Sequence, residues 1–240
     1  MLEIKLASEG KSTWANDYTS STLKTESTIS ALQYWFDLQS SGSMASPLHP
    51  ASDGIGNTML AEGTTAMVMS GYWLSAYYRQ SADNGTNNVL DDLMLIPGPT
   101  YTKGQPYNVC LAGTGAGVFS GTKYAQEAYE LLEFMMFSDY AVSSRVSVGW
   151  GIPAIQSKMN LLPNSSEFDK QALGVVERTA TYLSLAPRAN IYITYGSMNT
   201  LFDKYYNQAL YGKISLSEAC EKINKDVQLL INEGMEIAGK

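Results

Sequence analysis

Between positions 61 and 73 the chain reads AEGTTAMVMSGYW. Ala66, Met67, Val68 and Met69 make an apolar run of strand length, closed by Gly71, Tyr72 and Trp73. The expectation is a buried strand that delivers an aromatic side chain at its end. Downstream, Tyr77 and Tyr78 continue a helix, SADNGTNN (81–88) is rich in turn formers, and VLDDLMLIPGP (89–99) reads as a second strand stopped by Pro97 and Pro99. The next stretch, TYTKGQPYN (100–108), has the composition of a linker. VCLAGTGAGVF (109–119) is a Gly-rich strand, SGTK (120–123) a turn, and 124–137 a helix with Ala125, Ala128, Leu131, Leu132 and Met135 on its buried side. Strand, turn and helix in that order indicate an α/β unit.

Upstream, GSMASPLHPASDGIGN (42–57) is a loop, preceded by an amphipathic helix in which Ile29, Leu32, Trp35, Phe36 and Leu38 recur at helical spacing. Residues 1–22 show no period, so their order must come from contacts made elsewhere. Toward the other end, GWGIPAIQSKMNLLPNSS (149–166) separates two helices, at 168–183 and 199–210, from the preceding unit. The last element, 215–234, opens with Ser215 three residues before Glu218, a capping-box spacing, and closes at Gly234.

Composition narrows the function. Of 240 residues, 45% are apolar, an ordinary share, but only 16% are charged, against about 25% in typical globular chains. Sixteen Lys and Arg stand against 23 Asp and Glu, a net charge of -7, and no basic stripe is present to neutralise phosphates. Nucleic acid is therefore excluded as a partner. No apolar run approaches the roughly 18 residues of a membrane helix, and MLEIKLASEG (1–10) does not read as a secretory signal. Cys110 and Cys220 stand apart without metal-ligand spacing and are expected to be small buried apolar residues whose disulfide state is open.

Enzyme chemistry finds little support. Gly113, Gly115 and Gly117 give GxGxG, which departs from the GxGxxG of nucleotide-binding loops, and Val118 and Phe119 then continue a strand rather than open a helix. Close packing or ligand approach is the better reading of those glycines. His49 is the only histidine and lies between Leu48 and Pro50 in a loop, so a Ser/His/Asp triad or a metal site would have to be built around this one poorly placed group, and it reads as an ordinary loop histidine. Asp91 with Asp92, or Glu127 with Glu130 and Glu133, lack a spacing that would flank one glycosidic bond. Sixteen Tyr and four Trp do stand out, many of them beside Gly, Ser, Thr or Asn. A flat apolar face with a polar tip suits a neutral polar ligand such as a sugar. Trp35 belongs to the core stripe of its helix, whereas Trp73, Tyr192 and Tyr195 lie at element ends or in loops, near Gly71 and Gly196.

The segment 61–73 resembles one in the family 1 extracellular solute-binding proteins of carbohydrate ABC transporters, where a pattern F-x-x-G-x-x-A-M-x-x-x-G-x-W recurs. Gly63, Ala66, Met67, Gly71 and Trp73 occupy that pattern, with Leu60 in place of the aromatic. LIPGP at 95–99, LAGTGAGVFSGTKYAQEAYELLEFM at 111–135, GWGIPAI at 149–155 and QALYGKISLSEACEKI at 208–223 resemble further segments of the family in the same order. The resemblance implies an α/β fold of the periplasmic-binding-protein type, with two lobes and a ligand cleft. It implies that residues 1–104 and 157–240 belong to the second lobe and 105–156 to the returning portion of the first, most of which this chain does not carry.

The resemblance also implies function: an extracytoplasmic, non-enzymatic component that captures a sugar or oligosaccharide and delivers it to the permease subunits of an ABC transporter. It would be a monomer without cofactor or metal, reaching the membrane only through the transporter or a lipid anchor that this chain does not carry. Trp73 would stack on a sugar ring. Tyr72, Thr114, Gly115, Tyr195 and Asn199 would supply rim contacts or hydrogen bonds, and Arg188 would meet a hydroxyl or an anionic group. Two alternatives are a fragment of a carbohydrate-active enzyme and a sensory or scaffolding lobe that presents a surface to a receptor or permease.

Overall fold

The computed structural model describes residues 6, 11–48, 60, 64–85, 89–98, 109–111, 115–149, 151–185 and 189–240. The chain forms two compact units, one made of 1–51, 100–110 and 184–240, the other of 52–99 and 111–183. These divisions differ from the boundaries at 104/105 and 156/157 expected above. Two three-residue strands, Val109–Leu111 (β1) and Leu183–Leu185 (β2), pair with one another.

The first unit is built on three helices: α1 (Glu26–Ser40), α6 (Tyr195–Leu210) and α7 (Leu216–Ile237). Each starts at a hydroxyl cap, since Thr25, Thr194 and Ser215 accept from the backbone N–H of Thr28, Ser197 and Glu218. Along α7 the buried residues Leu216, Ala219, Cys220, Ile223, Val227 and Ile231 form one stripe at helical spacing. Ile223, Val227 and Ile231 close over Trp14 and Leu23, while Leu216 and Cys220 pack with Leu32, Tyr206 and Leu210. Gly234 does not end this helix. It stands inside it, and a Cβ there would fall on the Tyr192 carbonyl, so the glycine is required for close approach.

The aperiodic segment 11–24 is ordered by side chains of α7. Gln228 accepts from the Ser21 N–H (2.9 Å) and donates to the Thr19 carbonyl (2.9 Å), and Asn224 accepts from the Lys24 N–H (3.3 Å). Asn190 donates to the carbonyl of Tyr18 (3.0 Å), the one described non-glycine residue with positive φ, at 64°.

The second unit contains α2 (Leu74–Asp83), a 3₁₀ turn (Leu90–Asp92), α3 (Ala125–Phe137), α4 (Asp139–Ser147), a second 3₁₀ segment (Gln156–Leu161), and α5 (Glu167–Thr179) followed by a 3₁₀ turn (Ala180–Tyr182). Val142 and Val146 of α4 pack with Leu162, and Tyr72, Met159, Leu161 and Leu173 gather around them. Arg145 and Lys158 donate to carbonyls of Met136 (2.8 Å) and Phe137 (2.5 Å), which satisfies the end of α3.

Two expectations need correction. The α/β architecture is not found among the described residues, which are mostly helical and hold only β1 and β2 as strands. The runs read as strands, 66–69 and 89–99, form no strand among the described residues: Leu90–Asp92 is a 3₁₀ turn, and Met67 is 83% and Met94 80% exposed. A run becomes sheet only when a neighbouring strand takes its backbone hydrogen bonds; here the Leu95 N–H donates instead to the Gln171 side chain of α5 (2.8 Å). Likewise the predicted apolar side of α3 is not buried: Ala128, Leu131, Leu132 and Met135 line an open hollow of about 340 Å³ with Val118 and Phe119.

Candidate functional site

Trp73 is the N-cap residue of α2, and its ring folds back over Gly71. A Cβ on Gly71 would lie 2.8 Å from Cδ1 and Nε1 of Trp73, inside any ordinary contact distance. The absence of a side chain is therefore what lets the indole lie on the backbone. The residue remains 51% exposed. An exposed tryptophan backed by glycine is a flat apolar platform, a geometry suited to the C–H face of a sugar ring.

Tyr72 points the other way. Its ring packs with the cluster around Val142, Val146, Leu162 and Leu173. The hydroxyl is buried and makes no hydrogen bond of good geometry. Burial raises its pKa, and the Arg79 guanidinium pulls in the opposite direction. Tyr72 thus anchors the residue before Trp73 rather than standing at a rim.

Behind this anchor lies a polar cluster that sequence reading missed. Arg79, seven residues beyond Tyr72 and hence on the same face of α2, forms an ion pair with Asp169 in the first turn of α5. The pair is sheltered, with the Arg79 side chain 15% and the Asp169 side chain 5% exposed. The guanidinium also sits over the Phe168 ring, 5.3 Å from its centroid. Asp169 closes a capping box, accepting from the Ser166 N–H at 3.2 Å while its own N–H donates to Ser166 Oγ at 3.0 Å. Burial alone would raise the Asp169 pKa, but Ser166 and Arg79 outweigh it and hold the carboxyl below its ordinary value. The S-x-x-D spacing of Ser166 and Asp169 was a readable signal for the cap; nothing local signals Arg79.

The other expected ligand contacts are placed less completely. Gly115, in the same unit, is exposed, and a Cβ there or at Gly117 would meet nothing within 4 Å, so packing does not account for either glycine. Tyr195 opens α6 and Asn199 follows one turn later, half-buried. Tyr192 contributes to the core of the first unit. Thr114, Arg188 and His49 lie outside the described residues. Among the described residues no cluster of three or more His, Cys, Asp or Glu is arranged to hold a metal. A polar hollow in the first unit, lined by Lys24, Glu221, Asn224, Lys225, Gln228 and Leu229, is made of side chains in part already engaged in holding 19–24.

Comparison with solved structures places the fold. The chain superimposes with a TM-score of 0.68 and 16% identity on an ABC substrate-binding protein from Listeria monocytogenes in complex with cycloalternan, over 98% of this chain and 56% of that one. This is the fold of ABC-transporter solute-binding proteins. A cyclic alpha-maltosyl-1,6-maltose binding protein from Arthrobacter globiformis matches with a TM-score of 0.64 and 19% identity over 97% of this chain and 55% of that one. An ABC transporter solute-binding protein from Thermotoga lettingae, bound with alpha-D-tagatose, matches at 0.62 and 15% over 96% and 55%. The chain thus spans little more than half the length of these structures. No protein-family model and no curated protein matches the sequence.

Proposed function

We propose that this chain is part of the substrate-binding component of an ABC importer, which captures a sugar or oligosaccharide outside the cytoplasm and presents it to a membrane permease. The observation that carries the reading is Trp73: a half-exposed indole laid over Gly71 at the start of α2, in a chain whose fold is shared with sugar-binding proteins. Those proteins bind rather than transform their ligands, in keeping with a non-enzymatic role.

In this reading Trp73 stacks on a sugar ring, and Thr114, Gly115, Tyr195, Asn199 and Arg188 supply polar contacts. Tyr72, packed against Val142, Val146 and Leu162, holds the backbone from which the platform springs. The component acts as a monomer and cycles between open and closed forms, the closed one being recognised by the permease. We place 1–104 and 157–240 in the second lobe and 105–156 in the first. The apolar residues that α3 leaves exposed, Leu131, Phe134 and Met135, support packing of that segment against further first-lobe structure.

The test is calorimetric titration of the chain with a panel including maltotriose, cyclic glucans and tagatose, followed by Trp73→Ala. The expected result is one binding sugar class and a loss of about tenfold or more in affinity on truncation, equivalent to ~1.4 kcal/mol, with the melting temperature nearly unchanged. A large drop in melting temperature would make Trp73 a core residue and remove the basis of the reading.

A further inference from the structure

The Arg79–Asp169 pair lies in the same unit as the Trp73 platform, yet nothing in the proposed contacts uses it. α2 has only ten residues, and its first residue is preceded by a cap, Trp73, that makes no side-chain capping hydrogen bond. Helices this short are marginal on their own, so their position is set by tertiary contacts. Leu74 and Tyr78 turn the buried side of α2 inward, and two further contacts add to its orientation. At its start Tyr72 enters the cluster containing Val142, Val146 and Leu173, and two turns later Arg79 meets Asp169 and covers Phe168.

Asp169 and Phe168 belong to the first turn of α5, so the Arg79 contact ties α2 to that helix, while Tyr72 ties the backbone just before α2 to the cluster of Val142, Val146 and Leu162. Trp73 lies between Tyr72 and the first residue of α2, so the placement of the helix and of Tyr72 together sets where the indole leaves the backbone. Asp169 is itself immobilised by the capping box with Ser166, so the carboxylate is presented in a fixed place.

We infer that Arg79 and Asp169 are positioning residues for the Trp73 platform, acting by locking the rotation of α2 against the first turn of α5. The inference rests on the sugar-stacking role proposed for Trp73, but its structural part is measurable without a ligand. Loss of the pair removes the ionic link to α5 while the buried Leu74 and Tyr78 still hold α2 in place, and the indole then samples a wider range of orientations. Lys in place of Arg79 retains the charge and loses the planar stack on Phe168, so it restores position only in part.

The experiment uses the full chain labelled with 5-fluorotryptophan, which gives one fluorine resonance for each of its four tryptophans, that of Trp73 being assigned with Trp73→Phe. In Asp169→Asn and in Arg79→Met the Trp73 resonance is expected to shift and broaden while the other three stay in place. Arg79→Lys should return it part of the way. Affinity for the sugar found in the panel should fall about fivefold in the first two variants. A Trp73 resonance unmoved in both would overturn the inference, as would movement of all four resonances together, which would mark the pair as a general stabiliser. If Asp169→Asn does not fold, Arg79→Met and Arg79→Lys alone decide the matter. Should wild-type Trp73 respond to Asp169→Asn but to no sugar, the stacking role falls and the positioning role stands.

Discussion

Replacing Gly71 by alanine separates ligand binding from stability in a way the structure makes quantitative. The added Cβ would come to 2.8 Å from Cδ1 and Nε1 of Trp73, whereas carbon contacts settle near 3.5–4.0 Å. The ring must therefore retreat by about 1 Å or leave its rotamer, and a displaced χ angle costs about 0.5–1.5 kcal/mol. A sugar that requires the original ring position must restore it at that cost, which corresponds to a loss of about 2- to 12-fold in affinity. Stability should respond differently. Gly71 is not among the glycines with positive φ, so alanine fits the backbone and reduces the freedom of the unfolded chain by up to about 1 kcal/mol, which offsets the cost of the displaced ring and leaves the melting temperature nearly unchanged. The assay is titration calorimetry alongside a thermal melt, with Gly174→Ala as the control. Gly174 lies within α5, where a Cβ meets nothing within 4 Å, so this variant should melt higher and bind as before. Wild-type affinity in Gly71→Ala, with binding still dependent on Trp73, would refute the backed-platform geometry.

Three further outcomes are expected. Ile223→Ala, at a fully buried position between α7 and the Trp14 segment, should cost about 2–5 kcal/mol in urea unfolding with the slope unchanged; a cost near zero would mean that this core is not packed as described. Because the folded pKa of Asp169 is lowered from 3.8, its contribution is present above 3.8 and is lost as pH falls through the lower folded value. The stability difference between wild type and Asp169→Asn should accordingly shrink below that pH, and a pH-independent difference would exclude the ion pair as its source. Cys220 is buried, and burial raises its thiol to about 11, so in a Cys110→Ser background it should resist a thiol reagent at pH 8 until denaturant is added; rapid native reaction would contradict the α7 packing.

How far these features were legible in the sequence depends on how locally each is determined. α1, α6 and α7 were readable because their apolar stripes and caps lie within a few residues of one another, as with Ser215 and the Glu218 N–H. α4 was not. Its composition is only weakly apolar, and its start is marked by one residue, Ser138, which also closes α3. The strand reading at 109–119 held for Val109–Leu111, but those at 66–69 and 89–99 failed for the opposite reason: an apolar run states that a segment wants partners but does not supply them. Gly234 was taken as a stop because glycine commonly ends helices, while here it serves a contact with Tyr192, a residue far away in the chain.

The site shows the same division, and it explains why recognition residues were easier to propose than their supports. Trp73 and Gly71 are two positions apart, so an aromatic beside a glycine could be noticed by eye, although only the structure shows that one lies on the other. The link from Arg79 to Asp169 spans ninety positions, and neither residue stands in a motif that names the other. Asp169 could be read as a cap from Ser166 alone, yet that same fixed carboxylate is what makes a long-range ion pair useful for orientation. A charged partner free to change rotamer would hold α2 only loosely; one already held by a capping box transmits the position of α5 to α2 and so to the indole.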